Sequence, residues 1–339
     1  MTAATKPDTA QALRRAAVRA TLAPSVHNTQ PWQFLLTGTG LELHADPTRQ
    51  LQVLDPTRRQ LVISCGCALF NARVSLATNG LRPVISRFPD PARPNLLARI
   101  SLDGAGEESL DAGALDPELA SIAALDAVVE LRRTNRRHYS ADPVPSALID
   151  DLLVSASDEG ASLFPIVQQQ DRITLAVLSQ RADRIQNADP AYRAELRAWT
   201  SDEPGRDDGV PAIAIPRGGD GHHDDVPIRD FDTTGAGSLP AETGSSMKQS
   251  LLLLGTPGDN PLAWLHAGEA LERVLLEITR NGYAASLLTQ VVEVPATRSL
   301  LRHGLGLRMS PHVLLRLGRA ASTPATRRRR LVEVLLDVS

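Results

Sequence analysis

The segment RRTNRR, residues 132–137, places four arginines and a threonine hydroxyl within six positions. Guanidinium groups form bidentate, charge-assisted hydrogen bonds with phosphate, and the hydroxyl of Thr134 can add a further bond. The segment therefore predicts a site that holds a phosphate dianion. A solvated basic turn is the alternative interpretation, because arginine is frequent throughout this chain.

A second candidate for chemistry is the loop APSVHNTQPW, residues 23–32. Pro24 and Pro31 restrict its backbone, while Ser25 and Asn28 offer hydroxyl and amide groups that can hydrogen-bond a planar polar ligand. The loop could equally be a capped helix end that leads into a strand, with Asn28 and Gln30 bonded to the local backbone.

Three other groups of residues carry weaker signals. The segment HHDD, residues 222–225, has metal-ligand side chains, but adjacent side chains in a glycine-rich stretch rarely converge, so we assign no metal. Cys65 and Cys67 are interpreted as small core residues, because no nearby lysine or histidine lowers their pKa. We assign no catalytic side chain, and the glycine-rich phosphate motifs of Rossmann and P-loop proteins are absent.

The composition is that of an ordinary globular protein, with 42% hydrophobic and 22% charged residues. A length of 339 residues favours two units. A net charge of −3 argues against general affinity for nucleic acid. The N-terminal residues lack an apolar signal core, and no apolar run approaches the ~20 residues of a membrane span, so we expect a soluble cytoplasmic protein without membrane contact.

Hydrophobic periodicity predicts helices that alternate with short strands, which is typical of the α+β class. The predicted helices are 9–22, 59–79, 146–155, 172–189 and 261–281, and the first long one, rich in small residues, is expected to be buried. The predicted strands are 32–36, 41–45, 83–88, 97–102, 163–168, 248–255, 286–291 and 313–317.

Composition also divides the chain. Residues 103–126 are acidic and rich in glycine and alanine, which predicts a linker whose second part can be helical. We therefore assign a first half at 1–126 and a second half at 127–339. Residues 201–246 are dense in Gly, Pro, Asp and Ser, which predicts a long loop or lid within the second half.

Together, the arginine segment and the proline-containing loop resemble two motifs of the nitroreductase family, an FMN-dependent α+β fold. In that family the arginine motif holds the flavin phosphate. The resemblance assigns this role to Arg132, Thr134 and Arg136, with Arg133 in the same cluster; threonine replaces the usual serine.

The family's Pro-Ser loop lines the flavin from the other subunit of a homodimer. Pro24, Ser25 and Asn28 match that loop, but here it precedes the arginine motif in one chain. The resemblance therefore implies two fused halves, an intrachain pseudo-dimer that keeps one FMN site and favours a monomer. Half two, with ASDEGA at 156–161, and half one, with LRRAA at 13–17, lack the matching motifs of a second site.

The resemblance extends to the C-terminus. SPHVLLRLG, residues 310–318, resembles the family's last core strand, and the basic segment 327–330 resembles residues that return to the flavin phosphate, which assigns Arg327 and Arg329. A free basic tail is the alternative, since the proline that usually follows the paired arginines is absent. Ser286 falls where the family places backbone near the reactive edge of the flavin.

Within the family the chain most resembles the mycobacterial Acg type, through SVHNTQPWQF and GDNPLAWLHAGEALERVLL. That group implies fused halves, one FMN and a lid over the flavin. The expected activity is reduction of nitroaromatics or quinones with NAD(P)H, and the alternative is an FMN storage protein with an occluded flavin. A third hypothesis, that the arginines bind nucleic acid, requires a protein without flavin.

Overall fold

The computed structural model of the chain describes residues 9–38, 40–102, 116–137, 139–200, 203, 205–215, 226, 229, 231 and 249–337. The first part of the predicted linker, residues 103–115, lies outside the described residues. So do most of the predicted lid and the whole HHDD segment.

The described strands form two sheets, one of five strands in the order β3-β4-β2-β1-β9 and one of four in the order β5-β6-β8-β7. Every pair is antiparallel except β1 and β9, which are parallel. The strands are β1 Trp32–Thr37, β2 Gly40–Ala45, β3 Val84–Arg87, β4 Leu96–Ser101, β5 Ser162–Pro165, β6 Ser250–Thr256, β7 Ala284–Leu287, β8 Ser310–Gly318 and β9 Leu335–Asp337.

Helices cover the sheets and connect them. They are α1 Thr9–Ala20, α2 Arg59–Thr78, α3 Pro117–Ala123, α4 Asp126–Val129, α5 Ser146–Asp158, α6 Gln169–Ala188, α7 Pro190–Ala198, α8 Pro261–Arg280, α9 Gln290–Glu293, α10 Pro295–Gly304 and α11 Leu331–Val334. The predicted α+β class is confirmed, and α3 shows that the second part of the predicted linker is helical; α4 begins at the last residue of that linker.

The centre of the core is the contact between α2 and α8, the two longest helices of this core. They cross at Gly66 and Gly268, where a Cβ on Gly66 would lie 2.8 Å from the Cα of Gly268. The absence of a side chain on both residues lets the two backbones touch. Cys65 and Cys67 are buried in the same helix, and burial raises the pKa of both thiols, in agreement with their predicted role as core residues.

Helix α2 also contradicts one expectation from the sequence. The sequence was expected to contain no apolar segment long enough to span a membrane, yet α2 meets that criterion by length and composition. Its most apolar window is 89% buried by the rest of the fold, as expected for a core helix that is apolar on all sides.

One predicted strand is partly wrong. The strand expected at 286–291 ends at Leu287, and Gln290–Glu293 form the short helix α9. The Thr289 hydroxyl donates a 2.6 Å hydrogen bond to Glu293, and Gln290 donates to Gln186 of α6 at 3.0 Å. These side-chain contacts override the strand preference of Val291 and its neighbour, because β propensity depends on the surroundings.

Five elements were not predicted: α4, α7, α10, α11 and β9. The strand β9 pairs with β1, with Phe34 opposite Leu335. The end of the chain, which the sequence assigned to the second half, therefore contributes a strand to the sheet built from the first half. The segment between β8 and β9 crosses from one sheet to the other, and it passes the Pro-Ser loop.

Candidate functional site

Two adjoining cavities lie between the Pro-Ser loop and the arginine segment. The larger, here called the basic cavity, has a volume of about 380 Å³ and is lined by Asn28, Arg132, Arg133 and Arg328 among others. The smaller, here called the inner cavity, has about 70 Å³ of space and is lined by His27, Gln60, Arg229 and Phe231 among others. Both share the lining residues Pro24, Ser25, Thr134 and Arg136.

The loop is held in a strained backbone conformation. The backbone φ angles are 47° at His27, 54° at Asn28 and 50° at Gln30. These values lie in the left-handed region, which residues other than glycine rarely adopt. The Gln30 side chain donates to the carbonyl of Asp207 at 2.8 Å and accepts from the backbone N–H of Arg329 at 2.8 Å. Strain of this kind persists where the surrounding structure enforces it, and it is common at binding sites.

Asn28 connects this loop to the crossing segment. Its amide nitrogen donates to the carbonyl of Gly209 at 3.0 Å, and its amide oxygen accepts from Arg328 Nη1 at 3.1 Å. The same guanidinium donates through Nη2 to the carbonyl of Leu22 at 3.2 Å. Arg328 is thus fixed in the wall of the basic cavity by neutral acceptors rather than by a carboxylate.

Arg132 and Arg133 occupy the same cavity in different ways. Arg132 is 4% exposed; its Nη2 donates to Leu22 at 3.2 Å, while Nε and Nη1 have no hydrogen-bond partner. Its nearest acid is the buried Glu272, at 3.4 Å from Nε without hydrogen-bond geometry. Arg133 instead donates through Nη1 to the carbonyls of Glu130 and Arg132, at 2.6 and 2.8 Å.

The cavity contains more positive charge than the neighbouring acids compensate. Burial, followed by the charge of Arg229, lowers the pKa of Arg136 to about 10. Burial, followed by the charge of Arg132, lowers the pKa of Arg328 to about 9. Burial also raises the pKa of Glu272 to about 7, which weakens it as a counter-ion at neutral pH. An anion in the basic cavity would relieve this imbalance.

The inner cavity is narrow because three side chains occupy it. The ring of His27 meets that of Phe231 edge to face, with centroids 5.8 Å apart. The guanidinium carbon of Arg136 lies 5.3 Å from the Phe231 centroid. Both ring nitrogens of His27 are buried without a partner, and burial holds its pKa well below the usual range.

Arg229 fixes this side of the inner cavity. Its Nη2 donates to both carboxylate oxygens of Glu293, at 2.6 and 2.7 Å, and its Nη1 donates to the hydroxyl of Tyr192. Arg229 and Phe231 belong to the described part of the predicted lid. Where it is described, that segment therefore packs against α7 and α9 and contributes to the cavity wall.

The structure brings most of the site residues predicted from the sequence to these cavities, namely Pro24, Ser25, Asn28, Arg132, Arg133, Thr134 and Arg136. It does not bring Ser286, Arg327 or Arg329 there. Ser286 is fully buried in β7 opposite Arg316, and Leu287 and Thr289 line the inner cavity instead.

The arginines assigned in the C-terminal segment, Arg327 and Arg329, also lie away from the two cavities. Successive side chains of an extended segment point to opposite sides. The Arg327 side chain is 64% exposed, and Arg329 lies 3.8 Å from Asp46, whereas Arg328 between them faces the basic cavity. Sequence reasoning also missed His27, Arg229 and Phe231. Only His27 had a signal, its position between two assigned residues of the Pro-Ser loop.

Comparison with known proteins supports the resemblance seen in the sequence. No family model matches the chain. "Putative NAD(P)H nitroreductase Rv3131" of Mycobacterium tuberculosis is 36% identical over 338 residues, which cover 97% of this chain and 92% of that protein. "Putative NAD(P)H nitroreductase acg" of the same organism is 29% identical over 331 residues, 96% of each chain.

A solved structure described as a "putative nitroreductase" from Anabaena variabilis is 13% identical, with a TM-score of 0.49, and the match covers 94% of this chain and 90% of that one. The sequence relatives carry the assignment, because the 36% identity to the Mycobacterium tuberculosis protein extends along nearly the whole chain. The protein described here therefore belongs to the nitroreductase family.

Proposed function

We propose that this protein is an FMN-dependent oxidoreductase of the nitroreductase type, with one flavin per chain. The observation that carries the proposal is the group of buried guanidiniums around the basic cavity, Arg132, Arg136 and Arg328, which have too little acid nearby to balance them. Such a cavity suits a phosphate dianion. The names of the sequence relatives support the same class of activity.

The donors present fit FMN. Arg132 has two free donor atoms, and within the described part of the chain the Arg136 guanidinium makes no hydrogen bond or ion pair. The Thr134 hydroxyl stands between the two cavities and can reach the phosphate or the ribityl chain. In the inner cavity, the His27 ring and Gln60 Nε2 are buried without partners and can bond the polar edge of the flavin ring.

Flavin supplies the redox chemistry when it is bound, accepting hydride from NAD(P)H and passing electrons to a nitroaromatic or quinone. The chain binds, orients and shields the cofactor. Arg136 and Arg229 place positive charge beside the inner cavity, and Pro24 and Ser25 hold its opposite wall. No acid or base side chain is required for these steps, which is why we assign no catalytic residue.

We also propose that the chain consists of two fused halves, at 1–126 and 127–339. The Pro-Ser loop comes from the first and the arginine segment from the second, and they meet at one pair of cavities. The corresponding arginines of the first half, Arg14 and Arg15, line neither cavity. One flavin per chain follows from this asymmetry.

The direct test is the double variant Arg132→Ala with Arg136→Ala. We expect it to fold and to be purified without the flavin absorption band, while the matched control Arg15→Ala with Arg137→Ala keeps the band. The charged hydrogen bonds lost contribute about 1.5–3 kcal/mol each, enough together to remove the cofactor during purification. A double variant that retains one FMN per chain would show that the phosphate site is elsewhere.

A second function, storage of FMN without turnover, is favoured by a specific observation. His27, Arg136 and Phe231 narrow the inner cavity, so a nicotinamide ring has little room to stack there. Anaerobic mixing with NADPH distinguishes the two functions, since a reductase loses its flavin colour and a storage protein stays yellow. In the storage case, Phe231→Ala should open the cavity and allow the flavin to be reduced.

A further inference from the structure

A buried carboxylate lies behind Arg132 in the wall of the basic cavity. Glu272 is on α8 and is fully buried, and its Oε1 approaches Nε of Arg132 at 3.4 Å. Within the described part of the chain, neither carboxylate oxygen has a hydrogen-bond partner, and the same is true of Nε and Nη1 of Arg132. A buried acid and a buried base therefore face each other without a hydrogen bond between them.

Two cations and two uncharged groups surround this carboxylate. Arg132 follows α4, and Arg328 belongs to the segment that crosses from β8 to β9; both attract the ionised form of Glu272. Helix α2 contributes Asn71 and the thiol of Cys67, whose raised pKa keeps it neutral. Glu272 is thus shared by two arginines that also line the basic cavity.

The acids of the neighbouring elements are engaged elsewhere. Asp126 of α4 and Glu130, which lines the basic cavity, are both paired with Arg19. Asp158 and Glu159, at the end of α5, are paired with Arg273, which follows Glu272 and points to a different side of α8. Among the described residues, Glu272 is therefore the acid that responds to events in the basic cavity.

Burial sets the protonation of this carboxyl group. It raises the pKa of Glu272 to about 7, although Arg132, Asn71 and Arg328 act in the opposite direction. At neutral pH the acid is therefore divided between its ionised and protonated forms. A change in the charge around it moves it toward one of them.

A phosphate dianion in the basic cavity would make such a change in two ways. Its negative charge opposes the ionised carboxylate nearby. It also accepts hydrogen bonds from the guanidiniums of Arg132 and Arg328, whose attraction for Glu272 is then shared between two anions. Both effects favour the protonated acid.

We propose that Glu272 is a positioning residue for the flavin phosphate, which balances the charge of Arg132 while the site is empty and takes up a proton from solvent when the phosphate dianion binds. The proton forms an O–H bond on the carboxylate, and no other covalent bond changes. FMN binding is thereby coupled to proton uptake. The inference rests on the proposed function, because it needs the phosphate in the basic cavity.

The coupling can be measured as the dissociation constant of FMN at pH 7 and at pH 8, by serial dilution of the flavin-loaded protein and the fluorescence of the released flavin. About half of the Glu272 side chains in the empty site are protonated at pH 7, and about a tenth at pH 8. The wild type should therefore bind FMN about fivefold more weakly at pH 8. The second ionisation of a phosphate, near pH ~6, and that of Arg328, whose pKa is about 9, change little in this interval.

Two variants assign the effect to its residue. Glu272→Gln is uncharged at both pH values, so it should bind FMN equally at pH 7 and pH 8, and at pH 8 about tenfold more tightly than the wild type. Loss of a residue that only supports the fold would weaken binding instead. The matched control is Glu277→Gln on the same helix, because burial also raises the pKa of Glu277, which pairs with Arg280 and lines neither cavity. This control should keep the fivefold change of the wild type.

The possible results separate this inference from the proposed function. Equal affinity of the wild type at pH 7 and pH 8 would overturn the inference, even if Glu272→Gln failed to fold. A Glu272→Gln protein that keeps the fivefold change would overturn it too. In both cases FMN still binds, and the proposed function stands. A chain that binds no FMN at either pH would overturn the proposed function, and this inference with it.

Discussion

Replacing Arg136 with methionine should change cofactor affinity and stability in opposite directions. Burial and the charge of Arg229 lower the pKa of this guanidinium from 12.5 to about 10. Below about pH 10 the Arg136 guanidinium is charged in both the folded and the unfolded protein. Because burial disfavours the charged form, the side chain lowers the free energy of unfolding throughout this range. This destabilisation disappears as the pH rises from about 10 to 12.5, where the folded protein loses the proton first.

The size of the effect follows from these values. At about 1.4 kcal/mol per pH unit, the lowered pKa corresponds to a penalty of at most about 3.5 kcal/mol, and partial solvation reduces this penalty to about 1–3 kcal/mol. Arg136→Met should therefore stabilise the flavin-free protein by that amount. The same change removes a charged hydrogen bond to the phosphate, worth about 1.5–3 kcal/mol, so FMN should bind roughly 10- to 100-fold more weakly.

Two measurements test this reasoning: urea unfolding of the flavin-free protein at neutral pH, and titration of FMN fluorescence, which is quenched on binding. Arg137→Met is the matched control, because Arg137 lines neither cavity, and both quantities should stay at their wild-type values. If Arg136→Met is less stable than the wild type and binds FMN equally well, the basic cavity is not an anion site.

Three further variants probe other contacts. Asn28→Ala removes the acceptor that holds Arg328 and should weaken FMN binding by about tenfold, as expected for one charged hydrogen bond. His312→Gln removes a buried histidine whose pKa burial lowers to about 3; lowering the pH from 7 to 4.5 should cost the wild type about 2–3 kcal/mol more in urea unfolding than the variant. Gly66→Ala forces a Cβ into the backbone of α8 and should destabilise the fold by at least about 3 kcal/mol in the same assay, whereas Gly38→Ala, with open space around it, should be nearly neutral.

Each of these has an outcome that contradicts its reasoning. Wild-type FMN affinity in Asn28→Ala would mean that Arg328 holds its position without this acceptor. Acid destabilises the wild type because His312 binds a proton below about pH 6.5 in the unfolded chain, whereas in the folded protein it stays neutral down to about pH 3. Parallel pH curves for the wild type and His312→Gln would show that burial and the neighbouring Arg298 do not keep the ring neutral. A stable Gly66→Ala protein would show that α2 and α8 can separate without cost.

Local patterns were sufficient for the elements with strong periodicity. The helices α2 and α8 were placed within two residues of their observed ends, because long apolar stretches with clear start and stop signals depend little on distant contacts. The helix α7 was missed although Asp189 caps it and Pro190 begins it, a signal that was available. The strand β9 had no such signal, since its partner β1 lies near the other end of the described chain.

The site was predictable to the same extent. The Pro-Ser loop and the arginine segment are short motifs whose residue types indicate which ligand groups they can bind. Which of the four consecutive arginines at 327–330 faces the basic cavity depends instead on the direction of an extended backbone, and amino-acid composition does not reveal that direction. Arg229 reaches the inner cavity through Glu293 and Tyr192, and these contacts are formed only by the folded chain.

The segment that crosses from β8 to β9 has a consequence for biosynthesis. Arg328 follows all other cations of the basic cavity along the chain, and β9, which completes the first sheet, follows Arg328. A nascent chain on the ribosome therefore has the Pro-Ser loop and the arginine segment long before it has the full set of positive charges. Any ligand that needs all of these guanidiniums can join the protein only after Arg328 has been synthesised, when the strained loop also acquires the contacts that hold it.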